Sequence, residues 1–270
     1  MKKLLSLSLI ICSTLIFGQK KKNVDPGYKY LYKETSFETD DYKIYIEDAT
    51  AIDAWSKLKV RVFNKTNDYL ILKPTDVTFK IDGQEIQGTD KQLIIVPNDE
   101  ASKVIDVKGK GCQVDNYSIT IKALYKVAAN SPAIKTEDFV IPVAKNDFTA
   151  GNFKCTLKKH ELKTDKSAFK FVCTYEGDGI GILAPTQISA VTPKGQDNAN
   201  YNRNKGTLLE RGKSDDFIVD IREIPNSGDM QKEPWKLKWN ETFKESKIEM
   251  ISGGTIKLEL DPAKTAEKNK

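Results

Sequence analysis

Apolar and polar side chains alternate with a period of two along most of the chain. The alternation is clearest in two early stretches, where apolar residues occupy every second position: Tyr42, Ile44 and Ile46, then Leu58, Val60 and Val62. This period is typical of a strand with one face on a core and the other in water. Further predicted strands run through residues 77–81, 93–96, 103–107, 117–124 and 139–143.

Turn-forming residues separate these predicted strands. They are Asn67-Asp68, Asp82-Gly83, Pro97-Asn98-Asp99 and Lys108-Gly109. Short strands at regular spacing, with little helical periodicity between them, are typical of an antiparallel β-sandwich of immunoglobulin-like type.

The stretch from Leu58 to Gly83 is similar to a second stretch that begins at Phe169. Leu72-Lys73-Pro74-Thr75 matches Leu183-Ala184-Pro185-Thr186, 111 residues further on, without a gap. Residues 96–107 match 210–221 best at a spacing of 114, which implies a small insertion in residues 194–205, a predicted surface loop. Chance similarity between alternating strands is the alternative. The gapless match favours an all-β fold of two tandem immunoglobulin-like antiparallel β-sandwiches related by internal duplication.

The duplication divides the chain into modules. The first sandwich is predicted at residues 42–143, a linker at 144–152 and the second sandwich at 153–260. Trp235, Leu237 and Trp239 alternate within the second module, and Ile256, Leu258 and Leu260 are predicted to close it.

Two polar segments flank the predicted modules. Residues 19–41 form an arm in which Tyr28, Tyr30 and Tyr32 alternate with other residues. This alternation is compatible with an edge strand, and a tethering tail is the equal alternative. Residues 261–270 form a charged tail that is predicted to fray.

Residues 1–18 have the three parts of a secretory signal peptide. A basic start is followed by an apolar run from Leu4 to Phe17, and cleavage is predicted after Gly18. The run is shorter than the roughly 20 apolar residues of a membrane span, although a retained anchor is the alternative. Cys12 follows Ile11 rather than a small residue, which disfavours lipidation. The protein is therefore expected to be exported, either periplasmic or extracellular, and not membrane-spanning.

The charge balance disfavours a nucleic-acid partner. Removal of Lys2 and Lys3 reduces 43 basic residues to 41 against 38 acidic ones, a net charge of +3. The charges are evenly mixed, and no basic run is interleaved with aromatic residues.

Residues 60–83, V-R-V-F-N-K-T-N-D-Y-L-I-L-K-P-T-D-V-T-F-K-I-D-G, resemble the short immunoglobulin-like accessory domains of uncharacterised bacterial exported proteins. In those domains a strand ending in Asn-Lys precedes a polar turn, an apolar strand and a strand ending in Asp-Gly. The second copy departs from this pattern at Tyr175-Glu176 and Pro193-Lys194-Gly195. The resemblance implies a fold and an extracytoplasmic location, and it supplies no catalytic residue.

Two cysteines are predicted to face each other across a hairpin. A turn at residues 163–166 places Cys155 opposite Cys173, at the positions that Ile44 and Val62 hold in the first module. An oxidising compartment favours a disulfide there, and two reduced core cysteines are the alternative.

Few other residues suggest chemistry. Cys112 is left unpaired, which leaves a reactive thiol open, although it has no obvious activating neighbour. His160, the single histidine, is predicted to face solvent, which disfavours a catalytic triad, and a single histidine excludes a His-rich metal site. Calcium stays open because it needs only oxygen ligands, although residues 176–179 lack the alternating acidic residues of a calcium loop. No helix follows Gly177–Gly181, so a hairpin loop is expected rather than a phosphate site. No catalytic, cofactor or metal residue is assigned.

Two residue pairs bear on glycan chemistry. Trp235 and Trp239 suit either a sugar-stacking platform or a core, and the parity they share with Leu237 favours the core. Asp106 and Asp220 recur as outward residues, but the repeat supplies no deep cleft for paired-carboxylate glycoside hydrolysis.

The sequence therefore predicts a non-enzymatic exported cell-envelope binding or assembly module. Its partner would be another envelope protein, bound through strand edges or loops, with no cofactor. The alternative is an envelope glycan-binding protein or glycan hydrolase that uses the second module.

Overall fold

The computed structural model describes residues 27–89, 91–141, 144–164, 166–202, 205–222 and 229–270. These residues form antiparallel sheets, two 3-10 turns and one short helix, so the β-sandwich class is confirmed. No helix in these ranges is long and apolar enough to cross a membrane. The predicted signal peptide, residues 1–18, lies outside them.

Among the described residues, ten strands precede residue 128. They are β1 (Tyr30–Leu31), β2 (Thr35–Glu38), β3 (Tyr42–Ile52), β4 (Trp55–Asn64), β5 (Tyr69–Leu72), β6 (Val77–Ile81), β7 (Gln84–Gln87), β8 (Leu93–Ile95), β9 (Glu100–Lys108) and β10 (Asn116–Val127).

Twelve strands and the helix follow. They are β11 (Phe139–Ile141), β12 (Asp147–Ala150), β13 (Phe153–Leu162), β14 (Lys166–Tyr175), β15 (Ile180–Leu183), β16 (Ser189–Val191), β17 (Asp197–Ala199), β18 (Thr207–Leu209), β19 (Ser214–Arg222), β20 (Trp235–Lys238), β21 (Phe243–Ser246), β22 (Ile248–Glu259) and α1 (Pro262–Lys268).

Two sheets enclose the first core. One has the order β1-β3-β4-β9, with β2 also paired to β3, and the other has the order β7-β6-β10-β5-β8, with β22 also paired to β10. The alternating apolar residues of β3 and β4 point inward and are fully buried. The period-two pattern therefore identified the buried face of these strands correctly.

The last strand, β22, belongs to this first core. It pairs with β10 from Asn116↔Glu259 to Val127↔Ile248, and Ile256 and Leu258 are buried in the first cluster. The prediction that residues 256–260 close the second module is wrong. Alternation shows which face of a strand is buried, but it carries no information about a pairing partner more than 100 residues away.

Strand β11 lies in the first predicted module but pairs in the second half, the reverse of β22. Phe139–Ile141, predicted as the end of the first module, pairs with β20 beside the second core. The predicted linker also contains a strand, since Asp147–Ala150 pairs with the start of β13. The predicted boundaries at 143, 152 and 260 therefore separate strands from the sheets in which they pair.

The C-terminal tail is folded, which corrects the prediction that it frays. Asp261 caps α1 by accepting a hydrogen bond from the backbone N–H of Lys264 at 3.0 Å. Thr265 is buried and accepts a hydrogen bond from the backbone N–H of Leu31. The arm forms strands β1 and β2 on β3, so the edge-strand alternative is the correct one.

Three sheets surround the second core. Their strand orders are β12-β13-β14-β19, β11-β20-β16-β17 and β18-β15-β21. Aromatic side chains fill the space between them, including Phe153, Phe171, Trp235 and Trp239. This half therefore buries its core among three small antiparallel sheets.

The two halves contact each other directly. A small apolar cluster joins them, and its buried members are Tyr69, Ile71, Val127, Ile180, Ile182 and Leu208. Ion pairs flank this cluster, with Lys205 Nζ 2.6 Å from Asp99 and Lys73 Nζ 3.7 Å from Glu210.

Candidate functional site

The predicted disulfide is present. Cys155 and Cys173 are directly opposed on β13 and β14, with a Cα–Cα distance of 4.1 Å and an S–S bond of 2.04 Å. The pairing of Ile44 with Val62 on β3 and β4 has the same geometry in the first half. The bond is buried in the second core, so its role is structural.

Cys112 lies in a setting that keeps its thiol protonated. It is buried in the first core, and it forms no disulfide with a described cysteine. Burial, with a smaller contribution from the charge of Asp53, raises the pKa of the thiol. Since the thiolate is the nucleophile, this environment disfavours the reactive-thiol interpretation.

The other predicted chemistry residues do not converge on a site. His160 is exposed on β13 opposite Phe169. Among the described residues, no group of three His, Cys, Asp or Glu side chains is placed to hold a metal ion. Asp178, in the segment considered for calcium, is exposed and paired with Arg211 at 2.7 Å. The Gly177–Gly181 stretch connects strands of two different sheets, so the predicted hairpin is wrong.

The tryptophans belong to the core, as their parity favoured. Trp235 and Trp239 are 1% and 2% exposed. Trp239 stacks on Phe148 with ring centroids 4.6 Å apart, and its Nε1–H donates to the carbonyl of Glu137. Neither ring presents a face on which a sugar can stack.

The predicted insertion loop contains a strand and a buried asparagine. Most described residues of the segment 194–205 are exposed, as predicted, but the predicted loop is interrupted by β17 (Asp197–Ala199) and by Asn200, which is buried. Residues 203 and 204 lie outside the described residues. The Asn200 side chain donates to the carbonyls of Pro185 and Ile218 and accepts from the backbone N–H groups of Asn202 and Asp220. A polar residue is stable in this buried position because its hydrogen-bonding groups are satisfied.

Asn200 closes the outer edge of strand β19. β19 pairs with β14 on one side, so its other side is an edge of the sheet. On that edge the carbonyl of Ile218 and the N–H of Asp220 bond to the Asn200 side chain, and the carbonyl of Asp220 accepts from the N–H of Tyr201. Asp220, predicted to face outward, is largely covered and lies 3.4 Å from Lys166.

Strand β9 occupies the corresponding edge of the first half. Within the described ranges it pairs with β4 alone, in an unbroken register from Trp55↔Lys108 to Phe63↔Glu100. The carbonyl of Asp99 accepts from the backbone N–H of Asn64, and the N–H of Gly109 donates to the carbonyl of Ala54. The odd-numbered residues of β9 therefore direct their backbone groups toward β4. Alternation in an antiparallel ladder then directs the even-numbered groups, residues 100 to 108, toward the open edge.

Among the described residues, no side chain closes the middle of this β9 edge, and only its first N–H, that of Glu100, is taken up, by Asp99 Oδ1 at 2.8 Å. In the part of the chain that the structure describes, no hydrogen bond from outside β9 reaches the edge-facing backbone groups of Ser102, Val104 or Asp106. The position corresponding to Asn200 is Gly88. The backbone N–H of Gly88 donates to the carbonyl of Val77, just as the backbone N–H of Asn200 donates to the carbonyl of Ile188. A Cβ on Gly88 would lie 2.7 Å from the carbonyl oxygen of Pro74, which leaves no room for a longer side chain.

The outward side chains of this edge are polar or charged except for one apolar residue, Val104, at its centre. Val104 is 51% exposed, and the neighbouring outward residues, Ser102 and Asp106, are also exposed. Glu100 and Lys108, at the two ends of the strand, are exposed charges of opposite sign. We call the edge formed by residues 100–108 the β9 edge.

Arg61 holds the acidic end of the β9 edge in place. Its guanidinium lies 2.9 Å from Glu100 and 2.6 Å from Glu47, and it stacks over the ring of Tyr45. The hydrogen bond from Arg61 lowers the pKa of Glu47, and the hydrogen bonds to Glu47 and Glu100 raise the pKa of Arg61. Glu47 and Arg61 are therefore both charged across the neutral pH range.

The sequence pattern found β9 as a strand but did not show that its edge is open. The available signal was the spacing between Gly88 and Asn200, which places a glycine in the first half where the second half has a hydrogen-bonding side chain. That signal has meaning only once both residues are known to lie beside an edge.

A second surface feature lies between the two halves. An open cavity of about 510 Å³ is lined by Lys73, Pro74, Thr75, Lys91, Gln92, Leu208, Glu210 and Lys213. Lys73 is directed to Glu210 and lies over the ring of Tyr125 at 4.7 Å. In the described part of the chain, the side chains that line this cavity do not include a nucleophile that is hydrogen-bonded to a base.

No family model and no curated protein matches the chain. Among solved structures, it is similar at 11% identity and a TM-score of 0.18 to the secreted serine protease VesC from Vibrio cholerae, over 74% of this chain and 48% of that one. It is also similar to the ANXUR2 extracellular domain from Arabidopsis thaliana, at 9% identity and a TM-score of 0.14, over 87% and 91% of the two chains. The chain spans about half the length of the protease, and scores this low carry no argument about fold or function.

Proposed function

We propose that the chain is a non-enzymatic, exported module of a bacterial cell envelope that binds or assembles with another protein through the β9 edge. The observation that carries this proposal is the contrast between two equivalent edges. Asn200 closes the edge of β19, whereas backbone groups of β9 face outward around an exposed Val104. Edge strands with free backbone groups accept an added strand, and natural proteins commonly block those that have no partner.

Internal duplication into two immunoglobulin-like sandwiches is part of the proposal. Leu58 pairs with Ile105 on β4 and β9, and Phe169 pairs with Val219 on β14 and β19, which reproduces the spacings of 111 and 114. Both halves also follow the apolar strand with a 3-10 turn that starts at a buried proline, Pro74 or Pro185. The exchange of β11 and β22 supports two copies that traded their last strand, since β22 lies beside β10 as β11 lies beside β20.

Export is supported by two independent features. The predicted signal peptide directs the chain out of the cytoplasm, and the Cys155–Cys173 disulfide is stable in an oxidising compartment. Two residues support the non-enzymatic part of the proposal: His160 is exposed, and Cys112 is buried with a protonated thiol. The glycan alternative loses its main support because both tryptophans that motivated it are buried.

Site-specific photo-crosslinking in cells tests the proposal. A photoreactive amino acid replaces Val104 on the open edge, and a matched chain carries it at Ile218, the corresponding residue on the closed edge. We expect an envelope-protein adduct with the first chain and a much weaker one with the second, because only the first position adjoins a free edge. Equal labelling at both positions, or no adduct at either, would refute binding through β9.

A further inference from the structure

We infer that the partner at the β9 edge is a second copy of this chain, paired antiparallel through β9 about a two-fold axis at Val104. This inference rests on the proposed function and deepens it by naming the partner. A two-fold contact uses the same surface on both copies, so that surface must be complementary to itself.

The residues of β9 meet this requirement in one register. Centring the pair on Val104 places Glu100 opposite Lys108 of the second copy, and Lys108 opposite the second Glu100. It also places Ser102 opposite Asp106, and the two exposed Val104 side chains against each other. Directly opposed residues of opposite charge stabilise a strand pair, as do opposed apolar residues.

Neighbouring registers lack this complementarity. Centring on Lys103 sets Glu100 opposite Asp106, which brings two carboxylates together twice in the dimer. Centring on Ile105 sets the apolar Val104 opposite Asp106. Strand β19 also fails the same test, because pairing centred on Ile218 sets Asp216 opposite Asp220.

The backbone geometry suits the same register. The even-numbered residues that face the open edge are the ones that oppose each other when Val104 lies on the axis. Each such pair can exchange two hydrogen bonds, and because the Glu100 N–H already donates to Asp99 Oδ1 in each copy, the five pairs form about eight bonds across the axis. The five-stranded sheets of the two copies then join into one continuous sheet.

Lys103 limits the strength of this contact. It is half-buried beside the edge, where the equivalent residue of the second half is the buried Phe217. A lysine directed inward on an edge strand weakens edge pairing. We therefore expect a reversible dimer whose population depends on protein concentration.

Charge reversal measures the register directly. Sedimentation equilibrium of the full chain should show a monomer–dimer equilibrium, and Lys108→Glu should raise the dimer dissociation constant about tenfold or more, because it creates two Glu–Glu contacts. Glu100→Lys should do the same, and the double variant E100K/K108E should restore dimerisation. Lys108→Glu leaves the Glu100–Arg61 ion pair intact, and circular dichroism checks the fold of each variant.

Proline substitution provides a matched control. Val104→Pro removes an N–H from the open edge without removing a bond to β4, so we expect it to abolish the dimer, while Ile218→Pro on the closed edge should not. Failure of E100K/K108E to restore dimerisation would overturn the inferred register. A wild-type chain that stays monomeric, but whose position 104 crosslinks to a different envelope protein, would overturn the second-copy inference and leave the proposed function standing. A monomer that gives no adduct would overturn both.

Discussion

A chain that ends after Lys247 should lose the fold of its first half, although the deleted residues lie at the other end of the sequence. The deletion removes β22, which pairs with β10 along its whole length, and takes Ile256 and Leu258 out of the first core. Burial of two such side chains contributes about 3–6 kcal/mol, a large part of the roughly 5–15 kcal/mol that stabilises a typical domain. Limited proteolysis with mass spectrometry should therefore detect cleavage first within residues 42–127.

Milder substitutions separate this effect from general damage. Leu258→Ala should lower the free energy of unfolding by about 2–5 kcal/mol, whereas Lys257→Ala, its exposed neighbour, should change it by less than about 0.5 kcal/mol. A chain cut after Asp261 keeps β22 and loses only α1, so its first half should stay resistant to protease. If deletion of β22 left β3 and β4 protected and exposed β13 and β14 instead, β22 would belong to the second half.

Loss of the disulfide should be the second large effect. Replacing both Cys155 and Cys173 with alanine should lower the free energy of unfolding by about 3 kcal/mol from loop entropy, with a further loss from the cavity that remains in the core. Denaturant unfolding under non-reducing conditions measures the total.

The Ile44–Val62 pair of the first half supplies the matched control for this prediction. The variant C155I/C173V carries the residues found at Ile44 and Val62, so it should recover the packing part of the loss and retain the entropic part. Dithiothreitol should destabilise the wild-type chain and leave this variant unchanged. A wild-type chain that is equally stable with and without the reductant would show that the bond contributes nothing.

The alternation of apolar and polar residues predicted the strands and their buried faces well. It did not predict which of the two cores β11 and β22 join. Cys155 and Cys173 were placed opposite each other because a hairpin fixes its own register over a short separation. The assignments of β11 and β22 failed because their partners lie far away along the chain, where alternation is equally compatible with either core. α1 was missed because its seven residues carry little periodicity, and it is held by a cap at Asp261 and the contact of Thr265 with Leu31.

The candidate site was less accessible from sequence than the fold. The notion of a partner at a strand edge followed from the fold class, but the choice of β9 depends on Asn200, which read as part of a polar loop. Its burial and its bonds to Ile218 and Asp220 appear only when three segments are assembled. An edge is a property of the assembled sheet, so no local pattern marks one.

Amide hydrogen exchange measured by NMR on the dilute, monomeric chain tests the contrast between the two edges most directly. The amide of Asp220 donates to Asn200, whereas that of Asp106 faces the open edge. We expect the Asp106 amide to exchange at least about tenfold faster than that of Asp220, and Asn200→Ala to bring Asp220 to the faster rate. Equal protection of the two amides in the monomer would contradict the account.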